Sequence, residues 1–167
     1  MENINLKING VDVSAPAGST ILEAARIANI DIPTLCFLKD INAIGACRIC
    51  IVEVKGARSL VASCVYPATE GMEVFTNTPK VLESRKKTVQ LILSTHERKC
   101  LSCVRSGDCE LQKLAKDLKV EDEGYFDGVK MHYEIDNSAA HMYRDNNKCI
   151  LGRRCSAVCG KVQGIGV

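Results

Sequence analysis

Tryptophan is absent from this chain of 167 residues, and three Phe with four Tyr bring the aromatic share to only 4%. Large rings carry much of the buried area of an ordinary core, so here aliphatic side chains must supply it. The apolar share of 46% includes ten cysteines, about 6% of the residues, which leaves about 40% for all other apolar side chains. Something besides burial is expected to hold such a chain together. No window approaches the roughly 18 consecutive apolar residues of a membrane span. The opening Met1-Glu2-Asn3-Ile4-Asn5-Leu6-Lys7 lacks the basic and then apolar stretch of a signal peptide. A cytoplasmic chain is therefore expected. An excess of one charge is lacking too, because 22 Lys and Arg face 20 Asp and Glu for a net charge of +2. That balance leaves no footprint for nucleic acid. The basic run Arg85-Lys86-Lys87 reads as the solvated face of a helix. Neither a G-x-G-x-x-G behind a strand nor a P-loop is present, so no nucleotide site is legible.

Cysteine is what the chain has in excess. Ten of them in a reducing compartment point to metal ligands or redox thiols before five disulfides. They fall into three groups. Cys36, Cys47, Cys50 and Cys64 have the spacing C-x10-C-x2-C-x13-C, and three of them lie in turn-rich segments where backbone amides are free to point at sulfur. Hydrogen bonds to sulfur help set the potential of a thiolate-held cluster. A tetrahedral zinc ion would accept the same four thiolates, and spacing alone does not separate the two. His96, Cys100, Cys103 and Cys109 form H-x3-C-x2-C-x5-C. A lone His after a helix is commonly a partner of the helix dipole, but three cysteines follow this one, and zinc again remains open. Cys149, Cys155 and Cys159 form the third group, with Gly152 between the first two.

Patterning gives the frame around these groups. Ile4, Leu6 and Ile8 alternate with polar residues, Asn9-Gly10 is a strong two-residue hairpin signal, and Val11 and Val13 resume the alternation. Thr20 to Glu23 is a capping box ahead of a helix over about 20–29. Strands are expected over 51–54, 60–62 and 72–76. Thr78-Pro79 opens a helix that runs to about Ser94. Ser106-Gly107-Asp108 opens another, closed by the acidic segment Glu121 to Gly124. Met131, Tyr133 and Ile135 alternate briefly, and Asp136 to Asn147 reads as loop. The fold class is α+β, with a small sheet crossed by one helix at the N-terminus.

The β-grasp-like order of elements, together with Cys36, Gly45-Ala46-Cys47-Arg48-Ile49-Cys50 and Cys64, resembles the plant-type [2Fe-2S] ferredoxin-like domain at the N-terminus of [FeFe] hydrogenases and of the large iron–sulfur subunit of respiratory complex I. The His96, Cys100, Cys103, Cys109 string behind a helix resembles the [4Fe-4S] motif of one His and three Cys in the same families. The third group is similar to the bacterial ferredoxin run C-x2-C-x2-C-x3-C, with Gly152 in the second cysteine's place. The resemblance covers roughly residues 1–160. It implies three segments: a [2Fe-2S] ferredoxin-like domain over 1–77, a small helical [4Fe-4S] domain over 78–140, and an incomplete, truncated ferredoxin-like tail over 141–167. A neutral imidazole ligand should make the second cluster less reducing than four thiolates would, and Arg105 with the following helix start adds positive potential.

As a free-standing chain the pattern is similar to the small iron–sulfur subunit of electron-bifurcating NADH/NADPH/ferredoxin transhydrogenases. That resemblance implies an electron-transfer subunit with two cofactors, a [2Fe-2S] cluster on Cys36, Cys47, Cys50 and Cys64 and a [4Fe-4S] cluster on His96, Cys100, Cys103 and Cys109. It implies no catalytic residue of its own. Flavin- and NAD(P)-binding subunits of the same complex are the expected partners, with ferredoxin a further candidate. The alternatives are the electron-input arm of an [FeFe] hydrogenase or formate dehydrogenase assembly, a zinc-bearing structural adaptor, and a thiol redox sensor.

Overall fold

The computed structural model describes residues 2–120, 126 and 131–166. The chain divides into two compact units, Met1–Arg85 with Gly152–Val167, and Lys86–Leu151. The division falls within a helix and after Leu151, so the last segment returns to the first unit.

In the first unit, β1 (Asn3–Ile8) and β2 (Val11–Pro16) form an antiparallel hairpin with Ile8 opposite Val11. Asn9 and Gly10 turn it with φ of 53° and 82°, the two positive values that a tight hairpin turn matching the strand twist requires. Next come α1 (Ile21–Ile27), β3 (Ile51–Val54), β4 (Val61–Ala62) and β5 (Glu73–Phe75). The sheet order is β2-β1-β5-β3-β4, with β1 parallel to β5 and the other pairings antiparallel. Leu6, Ile8, Val13, Val52 and Val74 come from the sheet into one core with Ile21, Leu22, Ala24 and Ala25 of α1. The expected hairpin, helix and three further strands are all present, in a mixed α+β unit.

Helix α1 is short, so its ends matter. The Thr20 hydroxyl accepts from the Glu23 amide at 3.2 Å, and the Glu23 carboxylate accepts from the Thr20 amide at 2.7 Å. The next two amides are taken by the chain around Cys64: Ile21 N–H donates to the Tyr66 carbonyl and Leu22 N–H to the Ser63 carbonyl, each at 3.0 Å. The start of the helix and the loop bearing Cys64 are thereby fixed to one another.

Helix α2 (Pro79–Thr95) begins on Thr78, whose hydroxyl accepts from the Val81 amide at 3.3 Å and donates to Glu53 at 2.8 Å. Val81, Arg85 and Val89 are buried at helical spacing. The reading of Arg85 as part of a solvated face is thus corrected, because it shares the stripe that faces inward.

The second unit holds α3 (Glu110–Asp117) and a hairpin of β6 (Asp136–Ala139) with β7 (Met142–Arg144). Helix α3 starts after Ser106-Gly107-Asp108, where the Ser106 and Asp108 amides are engaged in the preceding turns and the Gly107 amide by Gln112 of the helix; its expected acidic stop lies outside the described residues. Asp136 to Asn147, read as loop, contains the hairpin. All seven strand residues are exposed, so no alternating burial marks them in the sequence. The alternating Met131 to Ile135, in contrast, forms no strand. The Asn147 side chain pairs with Tyr133 as a strand would, accepting from its amide at 2.9 Å and donating to its carbonyl at 2.8 Å.

A short tail closes the chain, with α4 (Arg154–Val158) followed by a wider π-type turn over Cys159–Gln163. Among the described residues no helix is long and apolar enough to cross a membrane.

The capping box makes a stability prediction. Thr20→Ala removes the hydroxyl that holds the first turn of α1, and should cost about 1 kcal/mol. Denaturant unfolding followed by circular dichroism measures it.

Candidate metal centres

Cys36, Cys47, Cys50 and Cys64 are all buried in the first unit, at 1%, 8%, 1% and 0% exposure. They sit on loops around the end of the sheet, and left-handed residues bend the first of these loops, at Asp40 (φ 61°), Gly45 (φ 63°) and Arg48 (φ 57°). Turns of this kind bring successive amides onto one concave side. The amides reach sulfur here: Cys47 N–H donates to the Cys36 Sγ at 3.5 Å. Burial pushes the Cys47 thiol up, while amides of Ile49, Leu35 and Cys36 pull against it. Cys50 and Cys64 share a hydrogen bond in which Cys64 donates, so Cys50 is held well below the ordinary thiol range. Cys64 is driven up by that bond, by burial and by the charges of Cys50 and Cys36, with the Gly45 amide opposing.

Two further residues fix these loops. Ser63 donates its hydroxyl to the Cys50 carbonyl at 2.7 Å. Asn42, 3% exposed, donates to the Cys36 carbonyl at 2.7 Å and to the Gly152 carbonyl at 3.0 Å. Four buried sulfurs facing backbone donors suit an anionic thiolate-held cluster, which needs hydrogen bonds and exclusion of water around its sulfur.

In the second unit His96, Cys100, Cys103 and Cys109 line one cavity, together with Arg105 and Gln112. His96 follows α2. Cys100 opens a single turn over Cys100–Ser102, and Cys109 stands at the N-cap of α3. The loop between them is held by successive turns, Cys103 N–H to the Cys100 carbonyl at 3.2 Å and Ser106 N–H to the Cys103 carbonyl at 3.0 Å. Gln112 accepts from the Gly107 amide at 3.1 Å, which ties the loop to α3. The His96 Nδ1 is buried with no hydrogen-bond partner among the described residues. Such an orphan is costly unless something meets it. Burial, then the charges of Lys148 and Arg98, hold the imidazole below its usual range. It is therefore kept neutral, the form in which imidazole binds metal. The donor set fits a cluster whose ligands border a shared space. Among the described residues no three His, Cys, Asp or Glu side chains converge as a single ion would need.

The third group is arranged differently. Cys149 and Cys155 are exposed and Cys159 half-buried. Cys149 lies in the second unit, and Cys155 and Cys159 lie in the first. A Cβ placed on Gly152 would stand 3.7 Å from the Cys36 Cα, an ordinary contact, so space does not require glycine there.

Residues 1–79 match the 2Fe-2S iron-sulfur cluster binding domain, and residues 85–123 match the NADH-ubiquinone oxidoreductase-G iron-sulfur binding region. Both are iron–sulfur domains. The [2Fe-2S] domain takes in the buried cysteine quartet, and the second region takes in the cavity lined by His96. The full chain is 44% identical over 172 residues to the NADP-reducing hydrogenase subunit HndD of Solidesulfovibrio fructosivorans, covering 29% of that protein. It is 33% identical over 162 residues to the NADH-ubiquinone oxidoreductase 75 kDa subunit of Reclinomonas americana, covering 97% of this chain and 23% of the relative. A crystal structure of NAD+-reducing [NiFe]-hydrogenase in the H2-reduced state is similar with a TM-score of 0.87 at 30% identity, over 93% of this chain and 65% of that one. The chain thus spans less than a third of the length of these two curated relatives. The expected resemblance to hydrogenase and complex I iron–sulfur subunits is borne out, as are [2Fe-2S] and [4Fe-4S] clusters as the cofactors.

Sequence reading missed Arg85 and Asn42, whereas the Gly45 amide lies in the loop read as free to face sulfur and does oppose the rise of the Cys64 thiol. Arg85 had a signal in its spacing from Val81 and Val89; Asn42 had none, because its partners are carbonyls brought together only by the fold. Gly45 is testable. Its φ of 63° disfavours a side chain, and a Cβ would meet the Val65 Cγ2 at 3.3 Å. Gly45→Ala should cost about 1–2 kcal/mol from the left-handed backbone, with loss of [2Fe-2S] absorbance per chain, read from thermal unfolding and visible spectra.

Proposed function

We propose that this chain is the iron–sulfur electron-transfer portion of an NAD(P)-linked oxidoreductase, in a cytoplasmic and electron-bifurcating complex. It relays single electrons between a flavin- and NAD(P)-binding partner and another redox subunit. Cys36, Cys47, Cys50 and Cys64 hold the [2Fe-2S] cluster, and His96, Cys100, Cys103 and Cys109 hold the [4Fe-4S] cluster. The clusters supply one-electron chemistry, and the protein supplies position and surroundings. The first four residues exclude water and present amides to sulfur, while His96 offers a neutral nitrogen where a fourth thiolate would add charge. Without a second cysteine at Gly152, Cys149, Cys155 and Cys159 are thiols that hold no third cluster.

The observation that carries this reading is the coincidence of two separate donor sets, one of four buried sulfurs and one around the orphaned His96 nitrogen, with two matched iron–sulfur domains. A second reading, in which the same domains are the electron-input arm of a longer hydrogenase polypeptide, is favoured by the 44% identity to HndD over 29% of its length.

Anaerobically purified protein should be brown, with iron and acid-labile sulfide in the amounts of one [2Fe-2S] and one [4Fe-4S] cluster. NADH or NADPH alone should leave it oxidised, and addition of a flavin-bearing partner should bleach it. A colourless sample with stoichiometric zinc means the structural adaptor instead, and iron above the two-cluster amount means that the third cysteine group binds as well. Cys103→Ser should remove the [4Fe-4S] signal in electron paramagnetic resonance and leave that of the [2Fe-2S] cluster. Loss of both signals from a folded variant would contradict two independent ligand sets.

A further inference from the structure

Arg85 is the only charged side chain that is buried among the described residues, at 3% exposure. Its hydrogen bonds end on carbonyls: Nε donates to Ile49 at 2.9 Å, and Nη2 donates to Ile51 at 3.0 Å and to Thr76 at 3.3 Å. These carbonyls take three of the five guanidinium N–H groups but do not cancel a full charge. A guanidinium keeps its proton in a protein, and an uncompensated buried ion costs several kcal/mol. A compensating charge is therefore called for. Burial weighs against the charged form of Arg85, and the negative charges of Cys50 and then Asp31 work in its favour. Asp31 is itself exposed and screened by water, which leaves the buried sulfurs.

The placement of the fork has a second effect. Ile49 and Ile51 flank Cys50, so the guanidinium grips the chain on both sides of that one sulfur. In a trans peptide the N–H points opposite to the C=O. With the Ile49 carbonyl drawn to Arg85, the Cys50 amide is turned the other way.

We propose that Arg85 is the internal counter-charge of the [2Fe-2S] site, a positioning residue whose guanidinium fixes the carbonyls on either side of Cys50 and offsets the negative charge gathered on Cys36, Cys47, Cys50 and Cys64. The inference rests on the assignment of those four cysteines as the ligands. Reduction adds one negative charge to the site. A fixed cation in a low-dielectric surrounding stabilises the reduced form more than the oxidised one, so Arg85 raises the reduction potential. Lysine keeps the charge without the planar fork, and methionine keeps much of the volume without the charge.

Anaerobic redox titration of the full chain, followed by electron paramagnetic resonance of the [2Fe-2S] cluster, tests this in wild type, R85M and R85K. R85M should shift the one-electron equilibrium about tenfold toward the oxidised form, a fall of ~59 mV. R85K should keep the potential within about threefold of wild type while altering the line shape, since the grip on Ile49 and Ile51 changes. An unchanged potential in a loaded R85M overturns the proposal. So does an equal fall in R85K, or loss of the cluster from R85K, because the charge is still there. If R85M does not retain the cluster, the R85K comparison decides alone. A wild type with no [2Fe-2S] signal would instead refute the ligand assignment, a failure distinguishable from that of the counter-charge.

Discussion

Keeping four cysteine sulfurs out of water, on loops whose amides must face them, is the constraint around which the first unit is organised. Sulfur that carries charge is costly to bury without donors or a counter-ion. The strands alone cannot provide donors, since their amides are committed to the ladder. The segment over 35–50 provides them by leaving regular structure and taking left-handed turns at Asp40, Gly45 and Arg48. Such a loop holds only if its own polar groups are met, and Asn42 does this from within it while Ser63 and Arg85 do so from outside. The sheet and α1 then serve as a rigid frame, with the start of α1 joined to the chain around Cys64.

The second unit solves a related problem with little core. Leu111 and Leu114 of α3 are buried, whereas Leu101 and Val104 in the ligand loop are open to solvent. Consecutive turns, the Gln112 contact with Gly107 and the N-cap position of Cys109 hold the donors in place. A cavity built this way depends on what it holds more than a packed one does. The unpartnered Nδ1 of His96 is the local sign of that dependence.

Elements governed by short-range rules could be read from the sequence. Asn9-Gly10 specified its hairpin through backbone sterics, Thr20 and Glu23 specified α1 through a local pair of hydrogen bonds, and Thr78-Pro79 marked the start of α2. The cysteine spacings marked out two donor groups because metal chemistry restricts residue type, and the fold buries one group and sets the other around a single cavity. What could not be read depends on partners distant in sequence or on an absent signal. The β6–β7 hairpin has no buried face, so no apolar alternation announces it. Met131 to Ile135 has the alternation, yet the Asn147 side chain takes the hydrogen bonds that a neighbouring strand would need. Arg85 was hidden by its neighbours: Lys86 and Lys87 made a charged run of what is, at helical spacing, one inward-facing cation between Val81 and Val89.

The difference in exposure between the two donor sets bears on the order in which the molecule is built. Cys36, Cys50 and Cys64 show at most 1% of their surface, whereas Cys100 is exposed and Cys103 and Cys109 are half-buried. A solute can reach the second set on a folded chain, but it reaches the first only when the loops that Asn42, Ser63 and Arg85 tie down are open. Were the first four sulfurs to take up a metal, its arrival would have to precede the closing of those loops.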